Sequence, residues 1–415
     1  MLASMHSAAP APFVRRDRGA SRDPLDLTYG IEEEFFLIDP ASRELVTTPS
    51  GKFLRACRLR LPDRVGEELL QAQLEVVTPI LHSADHARES LSELRFELGR
   101  IGNAHGIGLV ASGTHPLANW EDQRHTDKPR YDQLTEDFQI VARRNLLCGL
   151  HVHVGVPEGA DRVSLMHRLM PWVPVFLALS TSSPFWNGRP TGLFSYRQAA
   201  YDEWPRSGIP DDFTCEEDYA GFIDLLARCG ALTDGSFLWW AVRPSARFPT
   251  LELRIADACT RLEDSLALAA AFRCLVRAHL RQPGLGATRT AFSRRVIDEN
   301  RWRAKRYGTE ASFIDEEAEA TLALPDVVER MLRLLAPDAD ALNCEKELAH
   351  LRTIVLHGTS AHAQLALYRD QRTRCLSRNE ALLPVIDWLA AETVSATAGR
   401  SPASPPSRLR TAPAR

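Results

Sequence analysis

Apolar and polar residues alternate along several short stretches of this chain and recur every three to four residues along longer ones. The alternation predicts strands at Leu27–Ile38, Gln71–Thr78, Ile107–Ala111, His151–Val156 and Leu251–Ile255, because successive side chains of a strand point to opposite faces. The longer period predicts helices at Ala84–Ile101, Tyr131–Arg144, Val163–Leu179, Leu262–Leu280 and Pro325–Leu335. Short strands with one polar and one apolar face, mixed with long helices, predict an α+β domain. Its core is a largely antiparallel β-sheet with helices covering one side.

Four of these strands carry titratable groups on the polar side. In Thr28–Phe35, Glu32 and Glu34 share a face and Glu33 points away; in Gln71–Val76, Gln71, Gln73 and Glu75 align. His151 and His153 stand opposite Leu150, Val152 and Val154, and Glu252 and Arg254 stand opposite Leu251, Leu253 and Ile255. Taken singly, each face also reads as a solvated sheet edge or a surface ion pair of little worth. If the strands belong to one sheet, the faces converge. Clustered carboxylates favour a hard divalent cation, Mg²⁺ or Mn²⁺, and Mg²⁺ in turn suits nucleotide phosphates. Two imidazoles at i, i+2 suit a metal or a phosphate, and a zinc metallohydrolase built on His151 and His153 is the competing reading. The chain has no Gly-x-x-x-x-Gly-Lys-Ser/Thr loop. Gly106–Ala111 imitates a dinucleotide fingerprint but follows a helix and leads into a strand, the wrong context.

Composition narrows the class without deciding it. The 415 residues are 44% hydrophobic and 25% charged, ordinary values for a globular chain. A net charge of −4 lacks the basic excess of a nucleic-acid binder. The apolar stretch Pro171–Leu179 is too short to span a bilayer and contains Pro174, so a buried helix is expected rather than a membrane partner. Residues 1–24 and 396–415 are rich in Ala, Arg, Ser and Pro without apolar periodicity, which predicts disordered tails around one domain at 25–395. No signal-peptide pattern opens the chain. The eight cysteines (57, 148, 215, 229, 259, 274, 344, 375) form no Cys-x-x-Cys pair, and free thiols in a reducing, cytoplasmic compartment are expected.

Eight motifs carry a resemblance. They are Tyr-Gly-Ile-Glu-Glu-Glu-Phe (29–35), Gly-Thr-His-Pro (113–116), Pro-Arg-Tyr (129–131), Cys-Gly-Leu-His-Val-His-Val-Gly-Val (148–156), Ser-Ser-Pro-Phe-Trp-Asn-Gly (182–188), Thr-Gly-Leu-Phe-Ser-Tyr-Arg (191–197), Leu-Glu-Leu-Arg (251–254) and Glu-Asn-Arg-Trp-Arg-Ala-Lys-Arg-Tyr-Gly (299–308). In this order, over nearly all of residues 27–375, the chain resembles the carboxylate–amine ligases of glutamate–cysteine ligase family 2. Their catalytic domain is similar to that of glutamine synthetase.

The resemblance implies an enzyme that uses Mg-ATP to join an amino-acid carboxylate, the γ-carboxylate of glutamate, to an amine. It implies small-molecule substrates, an acyl-phosphate intermediate and a homodimer. Glu32 and Glu34 of the first strand, Glu75, His151 and Glu252 would hold cations that bridge ATP. Arg254 would contact phosphate beside Glu252, and His153 would orient substrate or nucleotide. Arg197, after a Thr-Gly turn, is a candidate for an acidic substrate group, since a planar guanidinium binds carboxylate bidentately; a surface arginine at a helix start is the alternative. Arg301 and Lys305 lie at i, i+4 with Arg306 adjacent, either a phosphate clamp or a solvated helix face. Ala241, Ser245 and Pro249 stand where relatives carry Asp, His and Gly. Ala241 and Ser245 keep open a third reading, a silent relative that only binds nucleotide or amino acid.

Overall fold

The first predicted strand lies in the middle of a seven-stranded sheet. The computed structural model describes residues 23–395, so the predicted disordered tails fall almost wholly outside the described residues. The sheet strands are Tyr29–Ile38 (β1), Val65–Glu67 (β2), Gln73–Val77 (β3), Gly108–Val110 (β4), Gly149–Gly155 (β5), Val242–Pro244 (β6) and Thr250–Asp257 (β7). Their order is β6-β7-β5-β1-β3-β2, with β4 also beside β1. Every pairing in this sheet is antiparallel. The register sets Glu34 opposite Glu75, Glu32 opposite His151 and Glu252 opposite His153. Directly opposed residues share a face, so the polar faces read separately from the sequence fall on one side of one sheet.

The other side is the core. Ile31, Phe35, Leu74, Val76, Val152, Val154, Leu251 and Leu253 are buried there. The helices that flank the sheet and its cavity are Ala84–Ala104 (α1), Pro129–Phe138 (α2), Tyr196–Tyr201 (α3), Leu262–Arg281 (α4), Ser293–Tyr307 (α5) and Glu345–His357 (α6). α4 is buried along nearly its whole length because it is packed between the sheet and an outer layer that includes α6. Glu33 points into this apolar side. There Arg95 of α1 meets it through two charge-assisted bonds of 2.7 and 2.8 Å, and Ser265 Oγ donates a third at 2.6 Å. The remaining guanidinium donors reach the carbonyls of Cys259, Thr260 and Thr393.

Several expected elements have different bounds. The helix predicted at Tyr131–Arg144 breaks at Gln139, whose φ of 48° ends α2 before a short turn at Ile140–Arg143. The helix predicted at Val163–Leu179 divides into Arg162–Leu169 and Val173–Ser180, joined by a 3₁₀ turn that contains Pro171; proline has no N–H to continue the ladder. By length and hydropathy Arg162–Ser180 could cross a membrane, yet 78% of that window is buried inside the protein. The helix predicted at Pro325–Leu335 continues through Pro337 to Leu342. The helices at Gly51–Arg60, Glu216–Arg228, Ser360–Thr373, Arg378–Ser395 and α6 were not among those expected.

Candidate functional site

A cavity of about 340 Å³ lies over the polar face of the sheet. Its floor is built by alternation: β1 supplies Glu32 and Glu34, β3 Glu75, β5 His151 and His153, and β7 Glu252 and Arg254. Its walls come from α2, α3, the β2–β3 connection and the turn between β6 and β7. Lys128 Nζ and Tyr131 Oη both donate to the carbonyl of Glu67, at 2.9 and 3.0 Å, and so hold the connection that carries Glu68 over the floor.

Three triads of potential cation ligands lie in a row. They are Glu32–His153–Glu252, Glu32–Glu75–His151 and Glu34–Glu68–Glu75, each with its ligand atoms within 4.8 Å of one another. Neighbouring triads share Glu32 and Glu75. His151 Nδ1 lies 3.1 Å from one oxygen of Glu32, and His153 Nε2 lies 3.3 Å from the other. His151 Nε2 faces Glu34 at 3.8 Å and, although buried, has no hydrogen-bond partner.

Like charge and burial together set the electrostatics. Burial, and then the neighbouring Glu68, push Glu34 up to about 8. Glu75 is pushed well above the carboxylate range by burial and then by Glu32, Glu68 and Glu34; Glu68 is raised mainly by its burial. Glu32 goes the other way, since hydrogen bonds from His151 and His153 outweigh the effect of its burial. Burial and the nearby Arg254 hold His151 down, to about 4, so its ring is neutral and able to coordinate. His153 is raised, against burial, by Glu32 and Glu252. Glu252 stays ionised despite its burial because Arg254 and Arg243 flank it.

The arginines divide into two arrangements. Arg243 of β6 holds Glu252 by bonds of 2.7 and 3.2 Å, and Arg254 contacts the same carboxylate. Two guanidiniums thus share one counter-charge, leaving positive potential beside the acidic row. Arg197 is buried, packs over Gly149 and has a buried Nε without a partner. A Cβ at position 149 would run into its Nη2. The segment that carries Arg197 is anchored by Asp257, which accepts from the Ser182 amide (3.0 Å), Ser183 Oγ (2.7 Å) and Ser195 Oγ (2.8 Å); Ser183 Oγ in turn accepts from the Arg197 amide. The Gly-Thr-His-Pro and Ser-Ser-Pro motifs therefore act as scaffold, since Gly113 packs on Asp257 and its amide donates to Ser182 Oγ.

Of the candidate residues, Glu32, Glu34, Glu75, His151, His153, Arg197, Glu252 and Arg254 line this one cavity. Arg197 is not the surface arginine of the alternative reading. Arg301, Lys305 and Arg306 do not line it. Arg301 and Lys305 point inward from α5 to Asp202 at the end of α3, at 2.5 and 2.6 Å, while Arg306 lies over Tyr307. Their basic run is neither a phosphate clamp at this cavity nor a freely solvated face. Of the three departures only Ser245 reaches the cavity, where its Oγ accepts from the amides of Arg247 and Phe248.

Glu68, Arg130 and Arg243 line the cavity without having been singled out. Glu68 sits in a loop, where no alternation marks it, and β6 has only three residues. No histidine besides His151 and His153 lines the cavity among the described residues, so the third imidazole expected of a zinc hydrolase is not there.

Comparison with known proteins agrees with this geometry. The model of glutamate–cysteine ligase family 2 matches residues 28–380. A protein of Ectopseudomonas mendocina, named by inference glutamate–cysteine ligase 2, is 47% identical over 366 residues, covering 88% of this chain and 97% of that protein. Among solved structures, the glutamate–cysteine ligase of Francisella tularensis in complex with AMP is similar with a TM-score of 0.64 at 12% identity, over 91% of this chain and 95% of that one. A bifunctional glutathione synthetase from Pasteurella multocida gives 0.65 at 14% identity, over 90% of this chain and 54% of that one. At these identities the structures speak for the fold, which is α+β and glutamine-synthetase-like. By sequence and architecture together, the chain belongs to glutamate–cysteine ligase family 2 and is a ligase that forms an amide bond.

Proposed function

We propose that this chain couples ATP cleavage to amide formation between the γ-carboxylate of glutamate and the amine of a second small molecule, through an acyl phosphate. The observation that carries the reading is the row of three ligand triads beside two arginines that share a single carboxylate. The donor set of the three triads, five carboxylates and two imidazoles, is oxygen-rich, which suits Mg²⁺ or Mn²⁺ better than Zn²⁺. The buried, unpartnered His151 Nε2 is the kind of atom a cation completes. Glu32, Glu34, Glu68, Glu75, His151 and Glu252 would hold it. A bound divalent cation supplies charge neutralisation between two approaching anions and orients the phosphoryl group.

The protein's own groups do the rest. Arg254, fixed by Glu252, offsets negative charge as the substrate carboxylate attacks the γ-phosphoryl group. ADP leaves and an acyl phosphate remains. Arg197, buried and incompletely paired, receives an acidic group of the substrate and sets its orientation. The free amine then attacks the acyl carbon, the carbon–oxygen bond to phosphate breaks, the amine's surplus proton passes to the departing phosphate, and amide and phosphate are released. No side-chain nucleophile is required. Eight free thiols match a reducing compartment such as the cytoplasm, and the family resemblance implies a homodimer, which light scattering tests.

The decisive assay measures ADP release with Mg-ATP and pairs of amino acids, glutamate and cysteine first, with hydroxylamine added in parallel. ADP release that needs the carboxylate substrate, together with a hydroxamate product, is expected. ATP bound without turnover across the whole panel would overturn the reading in favour of a nucleotide-binding relative.

A further inference from the structure

Of the eight cysteines, one pair has its sulfurs in contact. Cys274 Sγ lies 3.4 Å from Cys344 Sγ although the two residues are 70 apart in the chain. Cys274 is in α4, and Cys344 is the residue that caps the N-terminus of α6. Both side chains are buried. We propose that this pair is a site of reversible covalent modification, a dithiol that a small hydroperoxide converts to a disulfide tying α4 to α6.

The geometry divides the work between the two sulfurs. A disulfide needs a separation of about 2.05 Å, so the thiols must close by little more than an ångström. Cys344 stands at the N-terminus of a 13-residue helix, whose dipole favours a thiolate there, although its sulfur accepts no hydrogen bond from the helix amides. The neighbouring Cys274 sulfur and the guanidinium of Arg273 reinforce this and hold Cys344 below the usual thiol range, against its burial. The contact with Cys344, and burial, push Cys274 up. Its place at the helix N-terminus makes Cys344 the attacking sulfur and leaves Cys274 as the resolving one.

The chemistry balances with one oxidant. The Cys344 thiolate attacks an oxygen of the hydroperoxide, the O–O bond breaks, and Cys344 becomes a sulfenic acid while the leaving oxygen takes a proton. The Cys274 sulfur then attacks the Cys344 sulfur, the S–O bond breaks, and water departs with the Cys274 proton. Two thiols lose two electrons in all; the hydroperoxide gains them. The neighbouring Arg273 donates to the carbonyls of Leu27 and His82 and lies over Tyr29, so the staple would brace the helices beneath the start of β1. It touches none of the cavity residues.

The test treats the full-length protein with a stoichiometric amount of hydrogen peroxide, quenches it, alkylates it in denaturant and measures intact and peptide masses without reductant. The expected result is a loss of two hydrogens and a linked peptide pair carrying Cys274 and Cys344, both reversed by dithiothreitol. The cross-linked protein should melt a few degrees higher. In Cys274→Ser the resolving sulfur is gone, and dimedone should capture a sulfenic acid on Cys344. Full alkylation of both thiols after peroxide, a link between other cysteines, or oxidation of Cys344 to the sulfinic acid without a link would each overturn the proposal. The wild-type measurement decides it even if the variant does not fold.

Discussion

Three consecutive glutamates of β1 have opposite fates. Glu33 enters the helix-covered side and finds a guanidinium and a hydroxyl, so both of its oxygens are paired. Glu32 and Glu34 enter the cavity and find Glu68 and Glu75, with imidazoles that cannot balance them all. A buried charge that is part of the fold arrives with its partner; the carboxylates of the acidic row outnumber the cationic groups that face them among the described residues. The contrast separates stability from function along adjacent positions of one strand.

Breaking the matched side should have the largest effect. Glu33→Ala leaves Arg95 buried and unpaired, and a loss of about 3–5 kcal/mol is expected in urea denaturation, with much of the protein insoluble. Turnover per folded molecule should change little. Breaking the unmatched side should do the reverse. Glu75→Gln is expected to lower kcat/KM by about 10²-fold or more, while the melting temperature in metal-free buffer holds, because Glu75, pushed well above the carboxylate range, keeps its proton there and the amide has nearly the same shape. Glu252→Gln lies between the two, since it deprives both Arg243 and Arg254 of their counter-charge; it should cost stability as well as turnover.

The same contrast predicts a pH dependence. Glu34 is raised to about 8 in the folded protein, above its unfolded value near 4.3. A group raised in this way stabilises the fold fully below its unfolded pKa, and that stability is lost as pH rises through the folded value. Melting temperatures of metal-free protein should therefore fall between roughly pH 5 and 8, and Glu34→Gln or added Mg²⁺ should flatten the curve. A curve already flat without metal would remove Glu34 from the strained row. The smallest effect is expected at Arg306, which is outside the cavity: Arg306→Ala should leave kcat/KM within about twofold.

The polar faces were legible because a two-residue period is local and survives in any register. Their convergence was not, because it depends on pairings such as Glu34 with Glu75 that join segments about 40 residues apart. Arg301 and Lys305 show the limit from the other side. Their i, i+4 spacing marked a shared helix face but could not reveal Asp202, which meets that face from another element. Gln139 broke a predicted helix through a positive φ that nothing in its chemistry announces, whereas Pro171 stood in plain view inside the helix predicted at Val163–Leu179 and that prediction ran through it. The serines of the 182–197 region, quoted in the sequence only as parts of motifs, form the socket for Asp257.

The pairing of Glu33 with Arg95 also acts as a proofreader of assembly. If β1 zipped one residue out of step, Glu32 or Glu34 would face α1 and Ile31 and Phe35 would be thrown into the cavity. Such a chain would forfeit core packing at the same moment as it scrambled the acidic row. A molecule that has folded at all has thereby aligned its ligand set, and a population of this enzyme should contain few folded but misassembled sites to dilute its activity.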